Sequence, residues 1–261
     1  MLTIFSLRRR LQRNKVFFET LASITLTIMA VLVSWHATRI AALQTELTKL
    51  EKQPIFRFDV VLQFDPATQV YARDRLVVSN IGTPVREFDC RVYTFFKAEY
   101  GRRGQPLKTA LIPLHGYYSA SGVSKNLTGE LQEFVAPDVP EGNNSRAANL
   151  IRGFGRRGDQ HDAFAFLDVL RYVRVRYKDI WGEWHDDLYL VGSFTSSKLE
   201  DRDARLVIIE YETKWSSSLW VEFAKASPEL LYEKWKAAVA APSELPNVGA
   251  TMGKPLGQNP R

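Results

Sequence analysis

A single cysteine, Cys90, leaves this chain without an intramolecular disulfide or a thiolate set for structural zinc. Histidine is scarce as well, with four in 261 residues, and no His-x-x-x-His pair occurs. There is no Walker loop, no thiol pair and no hydrolase order of Ser, His and Asp, so no reaction class finds its motif. Internal repeats are absent. A mean hydropathy of −0.21 is too polar for a multi-span membrane protein, while 45% hydrophobic residues exclude a wholly disordered chain.

The most informative absence is local. No Lys, Arg, Asp or Glu occurs from Thr20 to Thr38, where Leu21, Ile24, Leu26, Ile28, Met29, Val31, Leu32 and Val33 dominate. Val16 to Thr38 is 23 residues, and at about 1.5 Å per residue a helix of that length covers the roughly 30 Å hydrocarbon layer of a bilayer. Thr20, Ser23, Thr25, Thr27 and Ser34 are tolerable there because hydroxyls can bond back to helix carbonyls. A cleaved signal peptide and a buried core helix are the competing readings. Against the first, the run is long, begins late and lacks a small-x-small site; against the second, core helices seldom lack charge for so long.

Charge is unevenly placed. The net +6 resides mostly in residues 1–15, which hold Arg8, Arg9, Arg10, Arg13 and Lys15 and no acid. Residues 16–52 balance, and the remainder has 27 cations against 26 acids. Such a neutral body argues against binding along a nucleic-acid backbone. Five cations before the apolar run outnumber Arg39, Lys49 and Lys52 after it. The positive-inside rule then leaves the N-terminus in the cytoplasm and carries the rest across the membrane.

Beyond Thr38, Ile40, Leu43, Leu47 and Leu50 take heptad positions a, d, a, d. The expectation is a short helical stalk over 39–53, either a coiled coil between copies or a stripe packed on its own domain; Gln53-Pro54 ends it. From Phe56 the period changes to two. Strands are expected at Phe56–Leu62, Val70–Ser79, Phe88–Phe96, Leu107–Tyr118, Val169–Lys178, Glu183–Val191, Leu206–Tyr211 and Ser218–Phe223. Asn80-Ile-Gly-Thr-Pro84 and Asp179-Ile-Trp-Gly182 read as turns. Residues 121–162 read as mostly loop, with a short helix near Ala147–Arg152. Ser227 and Pro228 open a closing helix over 228–241, and the tail 242–261 reads as disordered. The fold class expected is therefore mainly β: an N-terminal transmembrane helix at 16–38, a stalk, then an antiparallel, immunoglobulin-like β-sandwich domain at 54–241.

The stretch from Trp35 through Ile40, Leu43 and Leu47, then Pro54-Ile-Phe56 and Leu76-Val-Val-Ser-Asn80-Ile-Gly82-Thr-Pro84-Val85, resembles uncharacterised bacterial single-pass membrane proteins. Those share an N-terminal span, a helical stalk and a β-domain opening on such a strand–turn–strand. The likeness covers residues 15–97, implies a bacterial envelope setting and brings no catalytic residues.

Candidate chemistry is sparse. Gly153-Phe-Gly155-Arg-Arg-Gly158 matches a dinucleotide-loop pattern but lacks the strand before it and the helix after it. His185 with Glu183, Asp186 and Asp187, plus His161 and Asp162, is the one place where imidazoles and carboxylates gather as a metal needs, and Glu183, His185 and Asp187 share a strand face. An exposed strand face beside a turn is the favoured account of them. Cys90 reads as a packed strand residue, and Trp181, at a turn, as a contact for a partner or membrane surface. The expected function is a single-pass binding or scaffolding protein of the bacterial inner membrane, its domain in the periplasm. No catalytic, cofactor or metal residue is assigned. The alternatives are a metal-assisted hydrolase using Glu183, His185, Asp187 and His161, or a cytoplasm-facing, membrane-recruited effector.

Overall fold

A computed structural model describes residues 14–102, 106–123, 128–136, 139–158, 163–193 and 195–240. The basic tip up to Arg13, the tail beyond Ala240, His161 and Asp162 lie outside the described residues. The chain divides between Gln53 and Pro54 into two compact units.

The first unit is one helix, α1 (Lys15–Glu51), unbroken through the apolar run and the stalk. It is long and apolar enough to cross a membrane. The hydroxyls of Thr20, Thr25, Thr27 and Thr38 each donate to the carbonyl four residues earlier, so they present no unsatisfied donor. Every side chain from Asn14 to Lys49 is exposed.

The second unit is mostly β, in two sheets. Its strands are β1 (Phe56–Asp65), β2 (Val70–Asn80), β3 (Arg86–Arg102), β4 (Lys108–His115), β5 (Ser119–Val123), β6 (Gly129–Val135), β7 (Ala163–Lys178), β8 (Trp184–Val191), β9 (Ser196–Lys198) and β10 (Val221–Glu222). Helices α2 (Asn143–Gly158), α3 (Asp201–Ser216) and α4 (Pro228–Ala240) complete it. One sheet has the order β1-β2-β6-β5, the other β10-β4-β3-β7-β8-β9. All pairings are antiparallel except β10 beside β4, a two-residue parallel contact that departs from the expected all-antiparallel sandwich.

The alternation of apolar residues explains the layers. Leu76 and Val78 of β2, Val173 and Val175 of β7 and Phe134 of β6 share one buried cluster between the sheets. Strands β3 and β7, 17 and 16 residues long, outrun the first sheet. There α2 and α4 cover them, with Phe96, Ile112, Val169, Phe154, Leu231 and Trp235 in a second cluster. On the opposite face of the larger sheet, α3 lays Val207 over Tyr93, Phe95, Tyr172 and Leu188.

Three expectations are corrected. The segment Leu206–Tyr211 is helical: Ala204, Val207, Ile208 and Tyr211 meet the sheet at spacings of three and four, and Asp201 and Asp203 favour the positive end of α3. Ser218–Phe223 contributes only the two residues of β10 before a 3-10 turn at Phe223–Lys225. Within 121–162 lie β6 and all of α2, whose Ala147, Leu150, Ile151 and Phe154 follow helical spacing. Gly153 sits inside that helix because a side chain there would collide with the Pro228 ring, so its role is close helix approach. Gly142, just before α2, has φ +79°, and a methyl would strike the Ala72 carbonyl.

Candidate functional site

The β7–β8 hairpin carries Glu183, His185 and Asp187 of the side chains singled out for metal chemistry, His161 lying outside the described residues. Asp179 opens it. Its Oδ1 accepts the backbone N–H of Trp181 and of Glu183, each at 2.9 Å, while its own N–H donates to the Glu183 carbonyl at 3.0 Å. Gly182, at φ +89°, closes the turn in a conformation that a side chain would strain. Oδ2 of Asp179 lies 3.0 Å from Nε2 of His185, and the imidazole stacks flat on the Tyr177 ring at 4.9 Å. Burial raises the Asp179 carboxyl, but the His185 contact and the two backbone donors outweigh it and hold the group below its ordinary value.

The oxygens and ring nitrogen of Asp179, Glu183 and His185 lie within 4.8 Å of one another. This set differs from the expected one. Asp187 shares the strand face but turns to Lys198 at 2.7 Å and to the Tyr189 hydroxyl at 3.5 Å. Asp186, on the other face, takes a two-pronged contact from Arg174 at 2.7 and 2.5 Å. Asp179 was legible only as a turn residue; the signal for its second role is the six-residue spacing that brings its free oxygen to His185. A divalent ion here would use Glu183, exposed, as its third ligand. It would also have to displace the Asp179–His185 contact that now closes the hairpin.

Around the hairpin the surface is apolar in places. Trp181 is 43% exposed at the tip, and Trp184 stands between Lys178 and Arg176, 5.2 and 5.8 Å from its ring. The same end of the domain holds the β2–β3 turn, because Asn80 pairs with Phe56 and the Phe56 ring meets Tyr177 at 5.0 Å. Asn80 organises that turn: its side chain accepts the N–H groups of Ile55 and Gly82 and donates to the Thr83 carbonyl. Ile81 is left 65% exposed beside it.

A second polar cluster escaped the sequence reading. Asp74 on β2, fully buried, meets Arg171 on β7 at 2.8 Å and the Tyr117 hydroxyl at 3.3 Å. Arg171 also donates to the hydroxyls of Tyr117 and Tyr118, at 3.1 and 3.2 Å. Burial pushes both phenols up, so they stay protonated. Buried Asn143, first residue of α2, donates to the Asp74 carboxylate and accepts its backbone N–H at 2.9 Å. The available signal was a charge at an inward position of each strand, between Ala72 and Leu76 and between Val169 and Val173. Largely buried, with Arg171 11% exposed, this cluster joins both sheets to α2.

Cys90 is half-buried on β3, its thiol raised by burial, and His115 lies 5.0 Å from the Trp215 ring and 5.8 Å from that of Trp220. The glycine pattern 153–158 belongs to α2 and forms no phosphate loop. No protein family matches this chain, and no curated protein or solved structure matches it either.

Proposed function

We propose that this protein is a single-pass, membrane-anchored binding subunit of the bacterial envelope, its β-domain on the periplasmic side. The carrying observation is α1: an uncharged run long enough for a bilayer, its threonines satisfied within the helix, its side chains exposed. An apolar helix left in water would expose a surface far larger than soluble proteins tolerate. The basic residues before it favour a cytoplasmic N-terminus.

The strand order supports an immunoglobulin-like reading of the domain. β1-β2-β6-β5 corresponds to strands A-B-E-D, and β4-β3-β7-β8 to C′-C-F-G, with α2 inserted between E and F. Leu76, Val78, Val173 and Val175 fill the space between strands B and F where antibody domains carry a disulfide. On this reading the β7–β8 hairpin is the F–G loop and the Asn80 turn the B–C loop. Exposed Trp181 and Ile81 then stand where such folds recognise partners.

Orientation is tested by placing a thiol at exposed Ser196 on β9. In intact cells, Ser196→Cys is expected to react with a membrane-impermeant maleimide once the outer membrane is permeabilised, without lysis. Cys90 gives little background, being half-buried with a raised thiol. Labelling only after lysis puts the domain in the cytoplasm, as a membrane-recruited effector requires.

A metal-assisted hydrolase is the second reading, favoured by the approach of Asp179, Glu183 and His185. The Asp179–His185 contact already occupies the ring nitrogen and a carboxylate oxygen, so zinc titration of the purified protein at neutral pH is expected to show no stoichiometric binding. Tight one-to-one binding that is lost in His185→Ala would instead favour the hydrolase.

A further inference from the structure

Because α1 is one unbroken helix, the stripe of the stalk continues into the apolar run. Spacings of three and four lead back from Ile40 through His36, Val33 and Met29 to Leu26, so a single heptad register spans Leu26 to Leu50. Ile40, Leu43 and Leu47 are 55%, 53% and 61% exposed, so among the described residues these seam positions are left uncovered within their own unit. With Ile40 at position a, Glu46 falls at g and Glu51 at e, the two positions that flank the seam.

Copies of this chain anchored in one membrane run parallel, and parallel pairing sets g of one helix against e of the next heptad on the other. Glu46 of one copy then faces Glu51 of the second, and symmetry repeats the repulsion. The preceding flank, Arg39 against Gln44, offers no ion pair in return. Lys49 falls at position c, away from the seam. Self-pairing therefore gains the apolar seam but carries two like-charge contacts and no attractive one.

We infer that the stalk seam is built for a different chain: a parallel helix in the same membrane with Lys or Arg opposite Glu46 and Glu51. The inference rests on the anchor, which fixes the parallel arrangement. The charged flanks then select partners by raising the free energy of the wrong pair as well as lowering that of the right one.

The probe is a second copy with reversed flanks, Glu46→Lys with Glu51→Lys. Full-length chains, labelled through Lys52→Cys at the helix end, are mixed in detergent micelles and pairing is read by energy transfer. The wild-type and reversed chains together are expected to pair about tenfold more tightly than wild type with itself, from two repulsive contacts becoming attractive. Leu43→Ala with Leu47→Ala is expected to abolish the mixed pair. Wild-type self-pairing within twofold of the mixed pair overturns the inference, as does failure of both to pair or survival of the mixed pair without the leucines. Anchoring is read separately, by extraction from cells, so either claim can fail while the other stands.

Discussion

Asp74→Ala is expected to lower the free energy of unfolding by about 3–5 kcal/mol, the usual penalty for leaving one member of a buried ion pair alone. The loss comes from Arg171. Its side chain is only 11% exposed, and without Asp74 its charge would keep just the phenol oxygens of Tyr117 and Tyr118 as neighbours among the contacts described. Asn143 would lose its carboxylate partner in the same step. Urea unfolding of the detergent-solubilised protein, followed by tryptophan fluorescence, reads the change. Asp74→Leu combined with Arg171→Met should recover most of the loss, because the charge and its orphan leave together. A loss below about 1 kcal/mol in Asp74→Ala would mean that the cluster is not sealed from water, since exposed pairs contribute that little.

Ile28→Arg with Val31→Arg is expected to release the protein from the membrane. Each arginine near the centre of a span costs about 2.5–3.5 kcal/mol of insertion free energy, and the native run holds no charge to begin with. The two positions lie three apart on the helix, so one lipid-facing sector carries both charges. Cell fractionation should move the variant from the membrane pellet to the supernatant or to degradation. Conservative Ile28→Leu with Val31→Leu should stay in the pellet. Retention of the double arginine variant at the native level would show that α1 is not what holds the protein.

Where sequence reading succeeded, local chemistry left one solution. The Asp179–Gly182 turn needs an acceptor at its first position and a positive φ at its last, and Asp and Gly supply both. Ser227 accepts the Leu230 N–H at the start of α4, as its place before Pro228 and Glu229 foretold. Where reading failed, the deciding contacts were distant. Leu206–Tyr211 is a short apolar run that fits strand or helix equally; packing over Tyr93 and Phe95 selects the helix. Gly153 and Gly155 disguised α2 as a loop, because the Pro228 ring that accounts for Gly153 lies 75 residues further on. For the candidate site, alternation alone places His185 and Glu183 on one strand face, whereas nothing local to Asp179 beyond its turn points to His185. Asp74 and Arg171, 97 residues apart, could be paired only once β2 and β7 were known to face each other.

We propose that α1 lodges in a bilayer and tethers the β-domain to it. Alkaline carbonate treatment of membranes from cells making the full-length protein tests this most directly, because it strips peripheral proteins and leaves integral ones behind. With α1 as the anchor, the intact chain is expected to remain in the pellet, with its N-terminal residues still attached when the band is sequenced. Intact protein in the supernatant, or a pelleted fragment that begins after Thr38, would contradict it.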